Sequence, residues 1–303
     1  MLNLNYDEFK NCIIDSVVSF LPEKYKNAVP SIEPIKKTNT VKDGLRFTGN
    51  NLSISPVIYV DNLYELYSKD KDIDKVLKNI AEIFINHVNN KEIKNIVGKI
   101  DKDMIKKNVF IQLINTDKNR DTLKDIPSRK FLDLSMIYKL KLEISGSGIT
   151  TLTINKHFMK HYGFDENDLY NIAIRNTKRL FPFYCRTITE TLGDLTDVDM
   201  DDLGFNPAYD DMLVLSNRQC NLGAHVMLYQ DELLSLANKL NSDLYIIPSS
   251  IHEILVKPTS SGITPDMLKF TISSVNDECV SPNEFLSNNL YLFSKDTGEI
   301  TIV

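Results

Sequence analysis

Ser249, Ser250, His252 and Glu253 crowd into the string Pro248-Ser249-Ser250-Ile251-His252-Glu253, between the apolar runs Leu244–Ile247 and Ile254–Val256. A serine hydroxyl becomes a nucleophile when an imidazole takes its proton, and a carboxylate can orient that imidazole. In an extended chain residues i and i+2 share a face, so Ser250 and His252 are expected on one side and Ile251 and Glu253 on the other. A working triad also needs an orienting group and oxyanion donors from distant segments, and Asn115, Asn119 and Asp133 are the candidates for those roles. No G-x-S-x-G elbow surrounds either serine. Two readings follow. One is a hydrolase of unfamiliar type centred on Ser250, His252 and Glu253. The other is a polar bend whose hydroxyls bond local backbone, in a non-catalytic protein that binds through Ser249, Ser250, His252, Asn115, Asn119 and Asp133. The second is preferred, because each catalytic template lacks an essential part in this sequence.

Other constellations are weaker. His157 and His161 have the i, i+4 spacing that puts two imidazoles on one helical face, but no Glu follows His157 and a third ligand would have to be a remote Cys, His, Asp or Glu. The acidic stretch Glu190 to Asp211 contains Asp197-x-Asp199-x-Asp201. It fails as a calcium loop, because Asp202 stands where Gly is needed and Ala208 where Glu is needed. It reads as a solvated loop. Basic residues gather at Lys118, Arg120, Lys124, Arg129 and Lys130, and at Arg175, Lys178, Arg179 and Arg186. No phosphate-cradling glycine loop precedes either group, so neither ATP, GTP nor dinucleotide chemistry is expected by those routes. No metal and no cofactor is assigned.

Composition sets the wider frame. The 303 residues are 42% hydrophobic and 25% charged, enough for a substantial core, and the net charge of −6 argues against general nucleic-acid binding. Cys12, Cys185, Cys220 and Cys279 are scattered without a CxxC pair, as reduced thiols of a cytoplasmic protein would be. No signal peptide and no membrane-length apolar run is seen. The expected partner is another protein or a small ligand; the oligomeric state is left open.

The elements that must position these groups read as an α+β fold of antiparallel sheets with helices on one face. Phe9, Ile13, Val17 and Phe20 recur at helical spacing over 5–21, and the prolines of 22–40 suggest an irregular connector. Three hairpin-then-helix units are expected after that. The first hairpin runs from Leu45 to Val60 and turns near Gly49-Asn50. The second pairs Ile137–Leu142 with Thr151–Ile154 across Gly146-Ser147-Gly148. The third pairs Met212–Leu215 with Ala224–Leu228 across Asn221-Leu222-Gly223. A strand–bend–strand over 244–256, a helix near 265–276 with Pro265 in its first turn, and a hairpin across Asp296-Thr297-Gly298 complete the chain. The corresponding segments are 1–40, 41–130, 131–210 and 211–303, in one compact chain.

Several strings resemble a family. They are Ser55-Pro56-Val57-Ile58-Tyr59-Val60-Asp61, Leu113-Ile114-Asn115 with Asn119, Ile126-Pro127 leading to Phe131-Leu132-Asp133-Leu134, Leu244 through Glu253, and Val280 with Leu286-Ser287 and Tyr291. Together they resemble an uncharacterised domain family of anaerobic Gram-positive bacteria, often met on mobile elements, with Pro-Ser-Ser-Ile-His-Glu as its most specific string. The resemblance brings no activity, cofactor or catalytic residue. It implies only a setting: element maintenance, defence or counter-defence.

Overall fold

The computed structural model describes residues 3–49, 56–90, 98–142, 150–193, 212–248 and 250–303. The chain divides into two compact units, Met1–Ile100 and Asp101–Val303.

In the first unit, helix α1 (Tyr6–Ser16) starts at a capping box. The Asn5 side chain accepts the Glu8 N–H at 3.0 Å, and the Glu8 carboxylate accepts the Asn5 N–H at 2.9 Å. Phe9, Ile13 and Val17 are fully buried at their helical spacing, worth roughly 1.5–3 kcal/mol each in transfer terms. Strands β1 (Val29–Lys37) and β2 (Thr40–Thr48) form a long antiparallel hairpin, and β2 pairs with β3 (Ile58–Tyr59). Helices α2 (Val60–Asp70) and α3 (Ile73–Asn89) supply Leu63, Tyr67, Val76, Ile80 and Phe84 to the same core.

Residues 22–40 are therefore not an irregular connector. Counted from the two-residue turn at Thr38-Asn39, Pro30 and Pro34 fall where their nitrogens point away from β2. A proline costs nothing at such an edge position and also blocks strand addition. Among the described residues the expected return strand appears as the two-residue β3, and residues 50–55, which include its turn at Asn50, lie outside them.

In the second unit, α4 (Lys102–Asn108) leads into β4 (Val109–Asn115), and β5 (Ser128–Phe131), β6 (Leu134–Leu142) and β7 (Thr150–Thr153) follow. β6 pairs antiparallel with all three of the others. The β6–β7 hairpin matches expectation, although its Gly146–Gly148 turn lies outside the described residues. Helices α5 (Lys156–His161) and α6 (Glu166–Leu180) come next. The Thr177 hydroxyl of α6 accepts the Ile111 N–H at 2.9 Å and donates to the Ala173 carbonyl at 2.6 Å, fixing the helix to β4.

The other sheet of this unit is antiparallel throughout. It contains β8 (Phe183–Thr187), β9 (Leu213–Asn217), β10 (Leu244–Ile247), β11 (Ile254–Pro258), β12 (Tyr291–Phe293) and β13 (Ile300–Ile302), in the order β13-β12-β10-β11-β9-β8. Helix α7 (Gln230–Leu240) runs between β9 and β10 in sequence, and α8 (Pro265–Cys279) starts at a Thr264 cap with Pro265 in its first turn. The fold is thus α+β with antiparallel sheets. Strand pairing crosses the segment limits read from sequence: β1 with β2 across 40, β4 with β6 across 130, and β8 with β9 across 210.

The third expected hairpin is not there. Residues Gly223–Leu228 form a 3-10 helix, not a return strand. The reason is a competition for donors: the Gly223 N–H bonds the His252 carbonyl at 2.8 Å and the Ala224 N–H bonds the Ile251 carbonyl at 3.2 Å. Once the bend holds those donors they are lost to a ladder with β9. No described helix is long and apolar enough to cross a membrane.

Candidate functional site

The bend sits between β10 and β11, whose pairing closes at Ile247 and Leu255. Ser249 lies outside the described residues. Beyond it the chain is held by a second segment: Ser250 bridges Phe285, the Ile251 N–H bonds the Glu284 carbonyl at 2.8 Å, and the Ser287 N–H bonds the Pro248 carbonyl at 2.9 Å. The bend breaks the expected alternation of faces. Ser250, His252 and Glu253 all border one open cleft of about 450 Å³, shared with Gln219, Cys220 and Glu284. Ile251 turns inward and is buried.

The imidazole is committed on both nitrogens. His252 Nδ1 accepts the Leu222 N–H at 3.2 Å, so the neutral ring carries its proton on Nε2, which lies 3.4 Å from Glu284 Oε1. Ser250, 7% exposed, uses its oxygen to accept the His252 backbone N–H at 2.9 Å. Among the described residues no hydroxyl is hydrogen-bonded to the ring, and the Nδ1 lone pair that a general base needs is already in use. In this geometry Ser250 acts as a turn residue, not as an activated nucleophile.

The floor of the cleft is built with backbone strain. Cys220 and Leu222 have φ of 48° and 55°, left-handed values that non-glycine residues pay for. Leu222 in this conformation aims its N–H at the His252 ring, and Gly223 aims its own at the His252 carbonyl, which also accepts the Ser216 hydroxyl at 2.7 Å. The Arg186 guanidinium approaches Cys220 Sγ at 3.6 Å.

Asn115, Asn119 and Asp133 are brought close to the bend but not into the cleft. Asn115 and Asp133 grip the segment on which the bend is paired, and Asn119 braces Asn115. Asn115 Nδ2 donates to the Leu286 carbonyl at 2.9 Å while its Oδ1 accepts the Lys118 N–H at 2.8 Å, and the buried Asn119 amide donates to the Asn115 carbonyl at 2.7 Å. Asp133 accepts the Ser287 hydroxyl at 2.7 Å, the Asn289 amide at 3.0 Å and the Tyr291 hydroxyl. Burial, reinforced by this carboxylate, raises the Tyr291 phenol above its ordinary value.

Replacing Asp133 by Ala strands the fully buried Tyr291 hydroxyl and the Ser287 hydroxyl without their acceptor. The expected loss is about 2–4 kcal/mol, read as a lower urea midpoint at unchanged slope. Asp133→Asn, which keeps one acceptor oxygen, is expected to lose less than half of that.

The remaining sequence candidates separate. His157 and His161 are both exposed on α5. Among the described residues no group of three His, Cys, Asp or Glu side chains could hold a metal ion. Several of the basic residues are ion-paired: Arg120 with Asp117, Lys124 with Asp121, Arg129 with Glu166, and Lys178 with Glu232. The acidic stretch from 194 to 211 lies outside the described residues. Sequence reading missed Gln219, Cys220, Cys279 and Glu284. The turn read at Asn221-Leu222-Gly223 was the one local sign of them.

Fold and site define a class: an α+β protein with an acidic polar cleft, built on a bend whose histidine and serine are occupied by structural hydrogen bonds. The chain belongs to DUF5688, a family of unknown function, whose sequence model matches residues 6–295. No curated protein and no solved structure matches it.

Proposed function

We propose that this is a non-catalytic binding protein whose cleft receives an ammonium or guanidinium group, on a small molecule or on a Lys or Arg of a protein partner. One observation carries the reading. Glu253 and Glu284 are the carboxylates lining the cleft, and among the described residues no Lys or Arg lines it. A cation entering there would meet two carboxylates on a backbone already fixed by its own hydrogen bonds, so little ordering cost remains. The four free thiols suit a cytoplasmic setting. The mobile-element context implied by the sequence resemblance indicates where to look for the ligand.

The test is titration with agmatine, which carries both cationic groups, followed through the His252 imidazole resonances. Saturable shifts are expected, and Glu253→Gln with Glu284→Gln is expected to weaken binding about tenfold or more. Native mass spectrometry of gently purified protein then separates a free amine from a bound protein. Shifts that respond to phosphate and not to agmatine would sink the reading.

A further inference from the structure

The second unit holds another cavity, of about 560 Å³, that shares no lining residue with the cleft. We infer that it is a separate binding site for one small, mainly apolar molecule whose polar end is neutral or an amine.

The walls come from four places in the fold. Met136 stands on β6, Tyr170 and Ile174 lie one turn apart on α6, Met227 and Leu233 flank the start of α7, and Phe293 ends β12. The space is partly open to solvent and is not an interior void. Here the walls are already fixed by other duties. Met136, Met227, Leu233 and Phe293 are buried. The Tyr170 ring lies 3.8 Å below the Arg129 guanidinium, which Glu166 and Asn167 hold at 2.9 and 2.8 Å. Its volume is that of a typical small-ligand site, and two methionines give it adaptable thioether walls.

The mouth decides the ligand's polarity. Gln230 Nε2 donates to the Gly298 carbonyl at 2.9 Å, tying the β12–β13 turn to the start of α7. A Cβ at Gly298, whose φ is +68°, would lie 2.9 Å from that same nitrogen. The turn therefore keeps Glu299 and Ile300 at the rim, and among the described residues the exposed Glu299 is the one charged residue lining the cavity. A carboxylate or sulfonate entering here meets an unpaired like charge; a neutral group or an amine does not.

The probe is N-phenyl-1-naphthylamine, neutral and fluorescent in apolar surroundings, compared with the anionic 1-anilinonaphthalene-8-sulfonate. The neutral probe is expected to saturate at one molecule per chain and to bind at least tenfold tighter than the sulfonate. Glu299→Lys should shrink or reverse that preference. Methionine methyl resonances should shift at Met136 and Met227 and stay put at Met267, which sits 60% exposed beside Phe270 on α8 and is the obvious adventitious contact. Ile174→Trp, which fills the cavity, should cost at least tenfold in affinity; if that variant does not fold, the methionine shifts of the unaltered protein decide. Absent or non-saturable binding, or shifts at Met267 with Met136 and Met227 unmoved, overturns the inference.

Discussion

Gly223→Ala is expected to destabilise the protein by about 2–4 kcal/mol. A Cβ at this position would lie 2.0 Å from Ser216 Oγ, 2.5 Å from the His252 carbonyl oxygen and 3.0 Å from the Asn217 nitrogen. Two of those neighbours are backbone and cannot rotate away. Overpacking of this kind costs about 1–3 kcal/mol, and the shift that relieves it also breaks the Gly223 N–H bond to His252, for about 1 kcal/mol more. The measurement is urea unfolding at neutral pH. In a Ser216→Ala background the same substitution should recover less than half of the loss, because only the hydroxyl contact is removed. The His252 ring should also move, since Leu222 would no longer present its N–H at 3.2 Å. A loss under about 1 kcal/mol would mean that the 3-10 segment slides freely past the bend, and a rigid cleft could not then be maintained.

That same contact marks the limit of what the chain reveals without coordinates. The local elements were legible: the buried spacing of Phe9, Ile13 and Val17, the Pro265 helix start, the β10–bend–β11 unit and the β12–β13 hairpin all follow periodicity or turn chemistry. β1 was missed because Pro30 and Pro34 read as breakers, and only the neighbouring strand reveals that their nitrogens face outward. Ala224 to Leu228 was misread because a short apolar run suits a strand or a helix equally, and the donors that decide the matter are claimed by carbonyls some thirty residues away. The polar string at 248–253 was found, and its bend chemistry with it, but the facing of its side chains was not. Alternation put Ser250 and His252 together and Glu253 opposite, whereas pairing with 284–287 turns the strand into a bend and delivers Glu284 to the imidazole. Long-range register of that kind leaves no local pattern.

The second large effect belongs to His225, which the sequence placed on a strand and the fold buries completely. Its ring packs against Phe181 and Tyr229, with centroids 5.1 and 5.8 Å away, and among the described residues neither ring nitrogen has a hydrogen-bond partner. Burial pushes its pKa down to about 3, opposed in the smaller part by the nearby backbone of Leu222. An unfolded histidine titrates near ~6.5. Between those values the unfolded chain holds a proton that the folded chain refuses. The contribution of His225 is therefore intact above pH ~6.5 and drains as pH falls toward 3, by on the order of 5 kcal/mol in total. His225→Leu should remove about one proton from the pH dependence of unfolding across that window while leaving the carboxylate-driven part below it. At pH 7 the variant should be as stable as the parent or more so, because two buried nitrogens without partners are replaced by methyl groups, each orphan having cost about 1–3 kcal/mol. Urea titrations at closely spaced pH values read both effects at once. A variant weakened at pH 7 and still as acid-sensitive as the parent would show that the imidazole finds a partner in the folded state and carries its proton there.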